Sequence, residues 1–423
     1  MIRIPARSAT NSAMVRLRSG LGIPVIAVGT LGGLLGAAYV GALHLLSGLI
    51  GPDHHAPLVQ LCILAGVGAA VALVTTLGGE TGNVELLVDN IHVLGGASDV
   101  RRLRTLIPAS LLCVASGSAM GPEAPLVQTT GTLGTVVATR LRRSPTDVRI
   151  LTICGMAAGF PVLFGAPLGS AFFALEILHR RGLQYYEALI PAIVGSLCGY
   201  GVYLALSDLG IDSVWHFARF GVLSSRDLSV AAIIGLIGAI GAWVFATTVG
   251  LLRRALRPVP TWGRYVLGGV TLGLLGMWSP FALTFGEVQL NEIVDGRLAL
   301  GTLAVAAVAK FAGTSVVLAT GWKGGFIIPL FFIGATAGQM AHHELPMLNT
   351  TVLMACAMTA LCVGVTKTPV GSTLVVTEMA GLALLPVTMI AAVVALVVSS
   401  RVELIETQRA RNPLPAAPPP MQG

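Results

Sequence analysis

Residues 117–134 read GSAMGPEAPLVQTTGTLG and place one ionisable side chain, Glu123, between two prolines inside a long apolar run. Proline suits the first turn of a helix, where its missing N–H is not needed, so Pro122 and Pro125 predict a helix start here. The free N–H groups of a first turn, together with the helix dipole, favour negative charge. We therefore predict a helix start buried in the membrane and directed at an anion, with the Glu123 carboxylate competing for the same place.

The composition is that of a polytopic all-α membrane protein. Of the 423 residues, 54% are apolar and 11% are charged, whereas charged residues make up about a quarter of an ordinary soluble domain. The net charge of +7 comes from arginines in short loops, which fits the positive-inside rule. We expect a protein embedded in the lipid bilayer, with no nucleic-acid partner.

Several apolar stretches are too short to cross a bilayer, which takes about 20 helical residues, and others are interrupted by Gly or Pro. Short and broken apolar segments at matching positions of two halves are the best sequence pointer to a transporter site. Such a match is present. The equivalent segments are Gly82–Asn83–Val84 with Gly286–Glu287–Val288, Gly121-x-x-x-Pro125-Leu126 with Gly325-x-x-x-Pro329-Leu330, Gly134 with Gly338, and Met156, Pro167, Gly169, Ser170 and Glu176 with Met358, Pro369, Gly371, Ser372 and Glu378.

This repetition predicts a duplicated membrane unit with broken helices. If each half crosses the membrane an odd number of times, the halves are inverted, and the starts at Gly121–Pro125 and Gly325–Pro329 converge near the midplane. The predicted organisation is a basic cytoplasmic tail (1–20), a first repeat (21–207), a connecting external loop (208–227), a second repeat (228–400) and a disordered cytoplasmic tail (401–423).

Four segments then resemble the CLC family of chloride channels and proton-coupled chloride antiporters. GPEAP at 121–125 is similar to the family's GREGP motif, and GGFIIP at 324–329 is similar to its GGIFAP motif. The segments 157–176 and 364–379 resemble the paired segments that follow each motif. Over residues 60–400, the resemblance implies a CLC-like inverted repeat of tilted helices and a homodimer with one anion pore per subunit. It also implies that Glu123 is the gate, occupying an anion site when charged and swinging away when protonated or displaced.

The chain also departs from the family pattern. The GSGIPE motif is degraded here to TGNVE at 81–85, so the serine that contacts the central anion maps to Thr81 or Gly82. The family's tyrosine hydroxyl has no match in 379–386, which reads MAGLALLP. The inner glutamate of the antiporters falls at Ile177, which argues against proton coupling by the usual path. A fluoride-exporting branch also lacks both hydroxyls, so fluoride stays open as the substrate.

The candidate anion-binding residues supply backbone N–H groups, or, in the segment from Thr81, hydroxyl or amide donors. They are Thr81, Gly82, Asn83, Gly121, Pro122, Glu123, Ala124, Gly325, Phe326, Ile327 and Ile328. A cap at the start of a helix is the competing interpretation for Thr81 and Asn83. Lys323, just before the second helix start, either raises the local anion concentration or extends towards an interface.

Other ionisable residues receive structural interpretations. Glu176 and Glu378 hold equivalent repeat positions, which predicts a shared structural role such as pairing with nearby arginines. The histidine pairs 54–55 and 342–343 lack the spacing of a metal site and are predicted to lie in solvated loops. No nucleophile–base or metal-binding pattern lies in the apolar region, so we expect neither an enzyme nor a cofactor.

The sequence thus predicts transport of small inorganic anions, with chloride the first candidate, through a pore gated by Glu123. Several helix N-termini with partial positive charge allow rapid release of an anion, whereas a full positive charge would hold it. Ile177 favours a channel or a loosely coupled exchanger. A proton-coupled chloride antiporter and a fluoride exporter are the alternatives, and a membrane-embedded enzyme is a remote one. The predicted location is the bacterial cytoplasmic membrane, with both termini cytoplasmic.

Overall fold

The computed structural model describes residues 20–79, 81, 84–96, 100–179, 185–207, 215, 217–218, 222–402, 404–405 and 408. Most of the predicted N-terminal tail, Gly82 and Asn83, most of the connecting loop and residues 409–423 lie outside the described residues. Within them, the named secondary-structure elements are helices, and an isolated antiparallel bridge joins Gly121 and Gly325.

The first repeat contains nine helices within the described residues. They are α1 (Gly22–Ile50), α2 (Pro57–Gly78), α3 (Val84–Leu94), α4 (Leu103–Ala115), α5 (Glu123–Arg140), α6 (Pro145–Gly159), α7 (Pro161–Phe164), α8 (Pro167–Glu176) and α9 (Leu189–Ser207).

The second repeat follows the same order, with one helix, α15, where the first repeat has α6 and α7. Its helices are α10 (Ser225–Ala255), α11 (Thr261–Trp278), α12 (Glu287–Val294), α13 (Leu300–Thr320), α14 (Ile327–Glu344), α15 (Thr350–Thr366), α16 (Pro369–Ala380) and α17 (Leu385–Val398). The fold is therefore the predicted inverted repeat, although α10 begins at Ser225, inside the segment predicted as a loop.

Six helical segments within the described residues are long and apolar enough to cross a membrane. They are Gly22–His54, Pro57–Gly78, Pro145–Phe164, Tyr186–Leu206, Ser225–Ala255 and Leu300–Thr320. α5 and α14, which begin at the GPEAP and GGFIIP motifs, are not among these six segments. They pack inside the bundle instead, where protein surrounds their interrupted backbone.

Equivalent glycines allow each motif helix to pack closely against the next helix in the chain. A Cβ on Gly134 of α5 would collide with the carbonyl of Leu151 in α6. A Cβ on Gly338 of α14 would collide with the backbone of Met354 in α15. The repeat therefore keeps glycine at both positions because two helix backbones meet there.

Glu176 and Glu378 link the repeats reciprocally. Glu176, at the end of α8, accepts hydrogen bonds from the N–H groups of Val370 (3.2 Å) and Gly371 (2.7 Å) at the start of α16. Glu378 accepts from Leu168 and Gly169 at the start of α8, both at 3.1 Å. A shared structural role is confirmed, because each carboxylate caps the start of a helix in the other repeat. Pairing with the nearby arginines stays a prediction. Arg180 and Arg181 lie outside the described residues.

The histidine pairs divide between a turn and a helix. His54 ends a short 3₁₀ turn at Pro52–His54, whereas His342 and His343 lie in the last turn of α14. The prediction of solvated loops was therefore wrong for the second pair, whose rings hydrogen-bond the carbonyls of Leu348 and Leu298.

Contacts at the helix ends separate the two faces of the molecule. Arg143, just after α5, donates to the carbonyl of Gly20 at the start of α1. α14 is the inverted equivalent of α5 and ends at the opposite face. Thr351, at the start of the next helix, α15, donates to the carbonyl of Ala218 in the segment between the repeats. The 31-residue α10 runs from that segment to Arg253 and spans about 46 Å. The N-terminal start and Arg253 therefore share one face, and Trp215 and Ala218 lie on the other.

Candidate functional site

The bridge between Gly121 and Gly325 joins the starts of α5 and α14. Gly121 N–H donates to Gly325 O at 2.8 Å, and Gly325 N–H donates to Gly121 O at 2.6 Å. The two bonds are reciprocal, as expected for equivalent residues of an inverted repeat. The bridge brings together the two predicted anion-directed segments, which lie about half the chain apart in sequence.

Glu123 lies at this junction and is fully buried. Its Oε1 accepts a hydrogen bond from the N–H of Ile328 in the first turn of α14, at 2.8 Å. The N–H groups of Ile327 and of Glu123 itself also interact favourably with the carboxylate. The carboxylate from one repeat thus occupies the positive helix start of the other repeat.

The second carboxylate oxygen of Glu123, Oε2, has no hydrogen-bond partner among the described residues. It lies against the α-carbons of the two bridge glycines: a Cβ on either Gly121 or Gly325 would collide with it. An unpaired buried carboxylate oxygen carries a desolvation cost of several kcal/mol. This geometry leaves the Glu123 side chain without a full set of hydrogen-bond partners.

A cavity lies beside the two helix starts on the Arg253 face. Its lining includes Ala124 and Pro125 of α5, Gly324 and Phe326 before α14, and the cations Lys323 and Arg253. Lys323 lies over the ring of Tyr265, with Nζ 5.8 Å from the ring centroid. Two cations on a cavity next to buried N–H groups attract anions from the solution.

The structure brings together most of the predicted site residues but not all of them. The residues at the junction are Gly121, Pro122, Glu123, Ala124, Gly325, Phe326, Ile327 and Ile328. Pro122 immediately precedes α5 and Phe326 immediately precedes α14. Thr81 lies in the segment before α3, whereas Gly82 and Asn83 are outside the described residues, so the choice between Thr81 and Gly82 stays a prediction.

Tyr39 of α1 was not predicted, and it lies within electrostatic range of Glu123. The ring is buried, and its hydroxyl is 2.9 Å from Ser110 Oγ. Ser110 uses its own proton on the carbonyl of Ile107 at 3.0 Å, so Tyr39 donates and Ser110 accepts. No sequence signal indicated Tyr39, because a single aromatic residue in an apolar helix is ordinarily a packing residue.

A buried hydroxyl cluster near the junction was also not predicted. Thr368 Oγ1 lies 2.7 Å from Thr366 Oγ1 and 2.8 Å from Ser372 Oγ, and Ser372 donates to Cys362 Sγ at 3.4 Å. Cys362 is within electrostatic range of Glu123. At three of the four equivalent positions the first repeat has the apolar residues Phe160, Phe164 and Ala166, so the cluster is specific to the second repeat.

The comparisons with known proteins agree with this architecture. The model of the voltage-gated chloride channel family matches residues 91–400. The chain belongs to this family. As a CLC protein it is an integral membrane protein that transports anions, and it is not an enzyme.

Curated relatives of this CLC protein include bacterial ion-transport proteins. A chloride/fluoride channel protein of Pseudomonas syringae pv. tomato is 27% identical over 365 residues, which cover 82% of this chain and 78% of that protein. A putative ion-transport protein, YfeO, of Escherichia coli O17:K52:H18 is 26% identical over 333 residues, covering 76% and 77%.

Solved CLC structures share the fold. A slow cyanobacterial Cl⁻/H⁺ antiporter superposes with a TM-score of 0.76 at 21% identity, covering 88% of this chain and 93% of that one. A CLC-type fluoride/proton antiporter also gives 0.76, at 22% identity, covering 93% and 98%.

Proposed function

We propose that this CLC protein moves chloride across the bacterial cytoplasmic membrane through a pathway gated by Glu123, as a channel or a loosely coupled exchanger. The observation that carries the proposal is the hydrogen bond from Ile328 N–H to the buried Glu123 carboxylate. A carboxylate held at a helix start supports an anion site at this position. Displacing the side chain makes the same donors available to chloride.

The cavity with Lys323 and Arg253 supports an entry route from one face. Several arginines lie on that face, among them Arg143 and Arg253, and the positive-inside rule assigns such a face to the cytoplasm. In this proposal both termini are cytoplasmic, and the protein assembles as a homodimer with one pathway in each subunit.

Ile177 supports the channel or the loosely coupled exchanger, because this buried alkyl side chain cannot carry a proton. A proton-coupled antiporter needs a different inner route. Fluoride is the second candidate substrate, favoured by the name of the Pseudomonas relative and by the fluoride/proton antiporter among the structural neighbours.

The test is anion efflux from liposomes that hold the purified protein, comparing chloride with fluoride, with external pH recorded and the membrane potential clamped by valinomycin. Chloride efflux without matching proton movement is the expected result. Chloride-driven proton movement against its gradient would reassign the protein as an antiporter. Fluoride efflux much faster than chloride efflux would make it a fluoride exporter, and flux of neither anion would reject the proposal.

A further inference from the structure

A second carboxylate, Glu287, lies close to the gate and has no role in the proposed function. It is the first residue of α12 and is partly buried. Its carboxylate makes no hydrogen bond or ion pair with the residues that the structure describes, whereas its backbone carbonyl accepts a hydrogen bond from the indole of Trp215 at 2.8 Å. An ionisable side chain within a membrane protein's bundle is by default a candidate functional residue.

The internal repeat relates Glu287 to the predicted anion site. It corresponds to Asn83 in the segment for which the first repeat predicts an anion ligand. In an inverted repeat, equivalent helix starts approach the same central site from opposite faces of the membrane. The start of α12 therefore approaches the Glu123 junction from the Trp215 face.

Packing along α14 connects the two carboxylates. Ile328, which binds Glu123, and Phe332 are four residues apart and share one face of the helix. The Phe332 ring lies against Gly286, where an added Cβ would be 3.1 Å from the ring. Glu287 follows Gly286 directly, and the two carboxylates are electrostatically coupled.

Few other charges surround Glu287. Lys310 of α13 is fully buried, and its ammonium donates to the carbonyls of Leu283 and Thr284, both at 2.7 Å, and to Gln289 Oε1 at 2.9 Å. Tyr203 of α9 is the titratable group that faces Glu287 from that helix. α14 contributes the uncharged Phe332, and α5 contributes Glu123.

We propose that Glu287 is the proton-exchange site through which Glu123 equilibrates with the solution on the Trp215 face. A proton leaves the protonated carboxyl of Glu287 and binds the Glu123 carboxylate, directly or through water, and the neutral Glu123 side chain releases the start of α14. The reverse transfer restores the closed gate. This inference rests on the proposed gating role of Glu123.

The experiment uses right-side-out and inside-out membrane vesicles from overproducing cells, so that each face is exposed in turn to a rapid acid pH jump while chloride flux is followed. With Glu287→Gln, the flux response to a jump on the Trp215 face slows at least about tenfold, and the maximal flux stays within about twofold of wild type. Glu287→Asp restores the fast response. Glu292→Gln, an exposed carboxylate on the same helix, is the matched control and leaves the response unchanged.

An unchanged response rate with Glu287→Gln would overturn the proposal, as would equal slowing with Glu292→Gln or slowing confined to jumps on the Arg253 face. Failure of the proposed function is distinguishable: wild-type flux would then be absent, or its pH dependence would survive Glu123→Gln.

Discussion

At the scale of the residue, Glu123 combines an ionisable side chain with full burial and one good hydrogen bond. Its charged form is stabilised by the N–H groups at the start of α14, each of which carries a partial positive charge. Its neutral form loses that attraction. The proposed gating role follows from this difference: the charged side chain holds the site, and the protonated one leaves it.

Replacing the Glu123 carboxylate by a neutral amide tests the proposed gating role directly. Glu123→Gln mimics the protonated form, so we expect flux at neutral pH to rise severalfold and the pH dependence to disappear. The measurement is chloride efflux from liposomes between pH 4.5 and 8, values chosen to bracket the titration of a carboxyl group. Glu344→Gln, an exposed carboxylate at the end of α14, serves as the control. A mutant that kept the wild-type pH profile would contradict the gating role.

The bridge glycines leave space for the carboxylate and for nothing larger. In Gly325→Ala, the added methyl group collides with Glu123 Oε2 and expels the side chain from the start of α14. We expect flux that no longer depends on pH, as in Glu123→Gln, although Glu123 is still present. Gly250→Ala, where an added Cβ meets nothing within 4 Å, is the control. Normal pH dependence in Gly325→Ala would show that the side chain does not rest at this position.

At the scale of the element, the helix starts of α8 and α16 are stabilised from the opposite repeat. Each start lacks intrahelical partners for its first N–H groups, and each receives a carboxylate at the end of the equivalent helix. The two halves of the chain therefore stabilise each other, which explains why a glutamate is retained at both positions.

Removing one of these caps tests the linkage between the repeats. Glu176→Ala leaves the N–H groups of Val370 and Gly371 without their acceptor. We expect a loss of about 1.5–3 kcal/mol in the free energy of unfolding, the range for hydrogen bonds to charged groups. Unfolding by denaturant in detergent measures it, with Glu344→Ala as the exposed control. A change of less than about 0.5 kcal/mol, typical of surface substitutions, would contradict the capping role.

At the scale of the whole molecule, charge separates the two faces. Arg253 and Lys323 line the cavity that reaches the helix starts, and Arg143 lies on the same face beside Gly20. The electrostatic field of these cations attracts anions to the cavity. Dissolved salt screens that field beyond a Debye length, which is about 10 Å at 0.1 M ionic strength.

The cavity cations are expected to raise flux at low salt. Arg253→Gln should lower chloride flux severalfold at low ionic strength and little at high ionic strength, because screening then removes the attraction in wild type too. The measurement is efflux at fixed chloride with an impermeant salt as the variable. Arg257→Gln is the control, since Arg257 lies in the same basic cluster but does not line this cavity. Equal effects of the two substitutions would point to the net charge of the face alone.

Labelling of single cysteines with a membrane-impermeant maleimide determines which face of the protein is cytoplasmic. In a background without the exposed Cys62, we expect Val222→Cys to react in intact cells and Leu141→Cys to react only after lysis. Both positions are exposed, Val222 at 99% and Leu141 at 49%, and they lie on opposite faces. The reverse pattern would invert the proposed orientation.

The sequence by itself determined the fold class, the two repeats and the two helix starts. Composition excludes a soluble domain, and proline next to an intramembrane carboxylate marks a helix start through local chemistry alone. The equivalent positions Gly121 and Gly325, and Glu176 and Glu378, are visible as a repeated spacing. These are properties of short segments, and they need no knowledge of what packs against them.

Only the tertiary structure decided which groups meet. The bond from Ile328 to Glu123 joins residues 205 positions apart, and the carboxylates of Glu176 and Glu378 cap helix starts in the opposite repeat. Tyr39 and Arg253 gain a functional context because distant helices bring them close to Glu123 or to its cavity, and a single residue in an apolar or basic stretch carries no such signal. The physical reason is that a buried charge is stabilised by whatever donors lie around it in space, and in an inverted repeat those donors come from the other half of the chain.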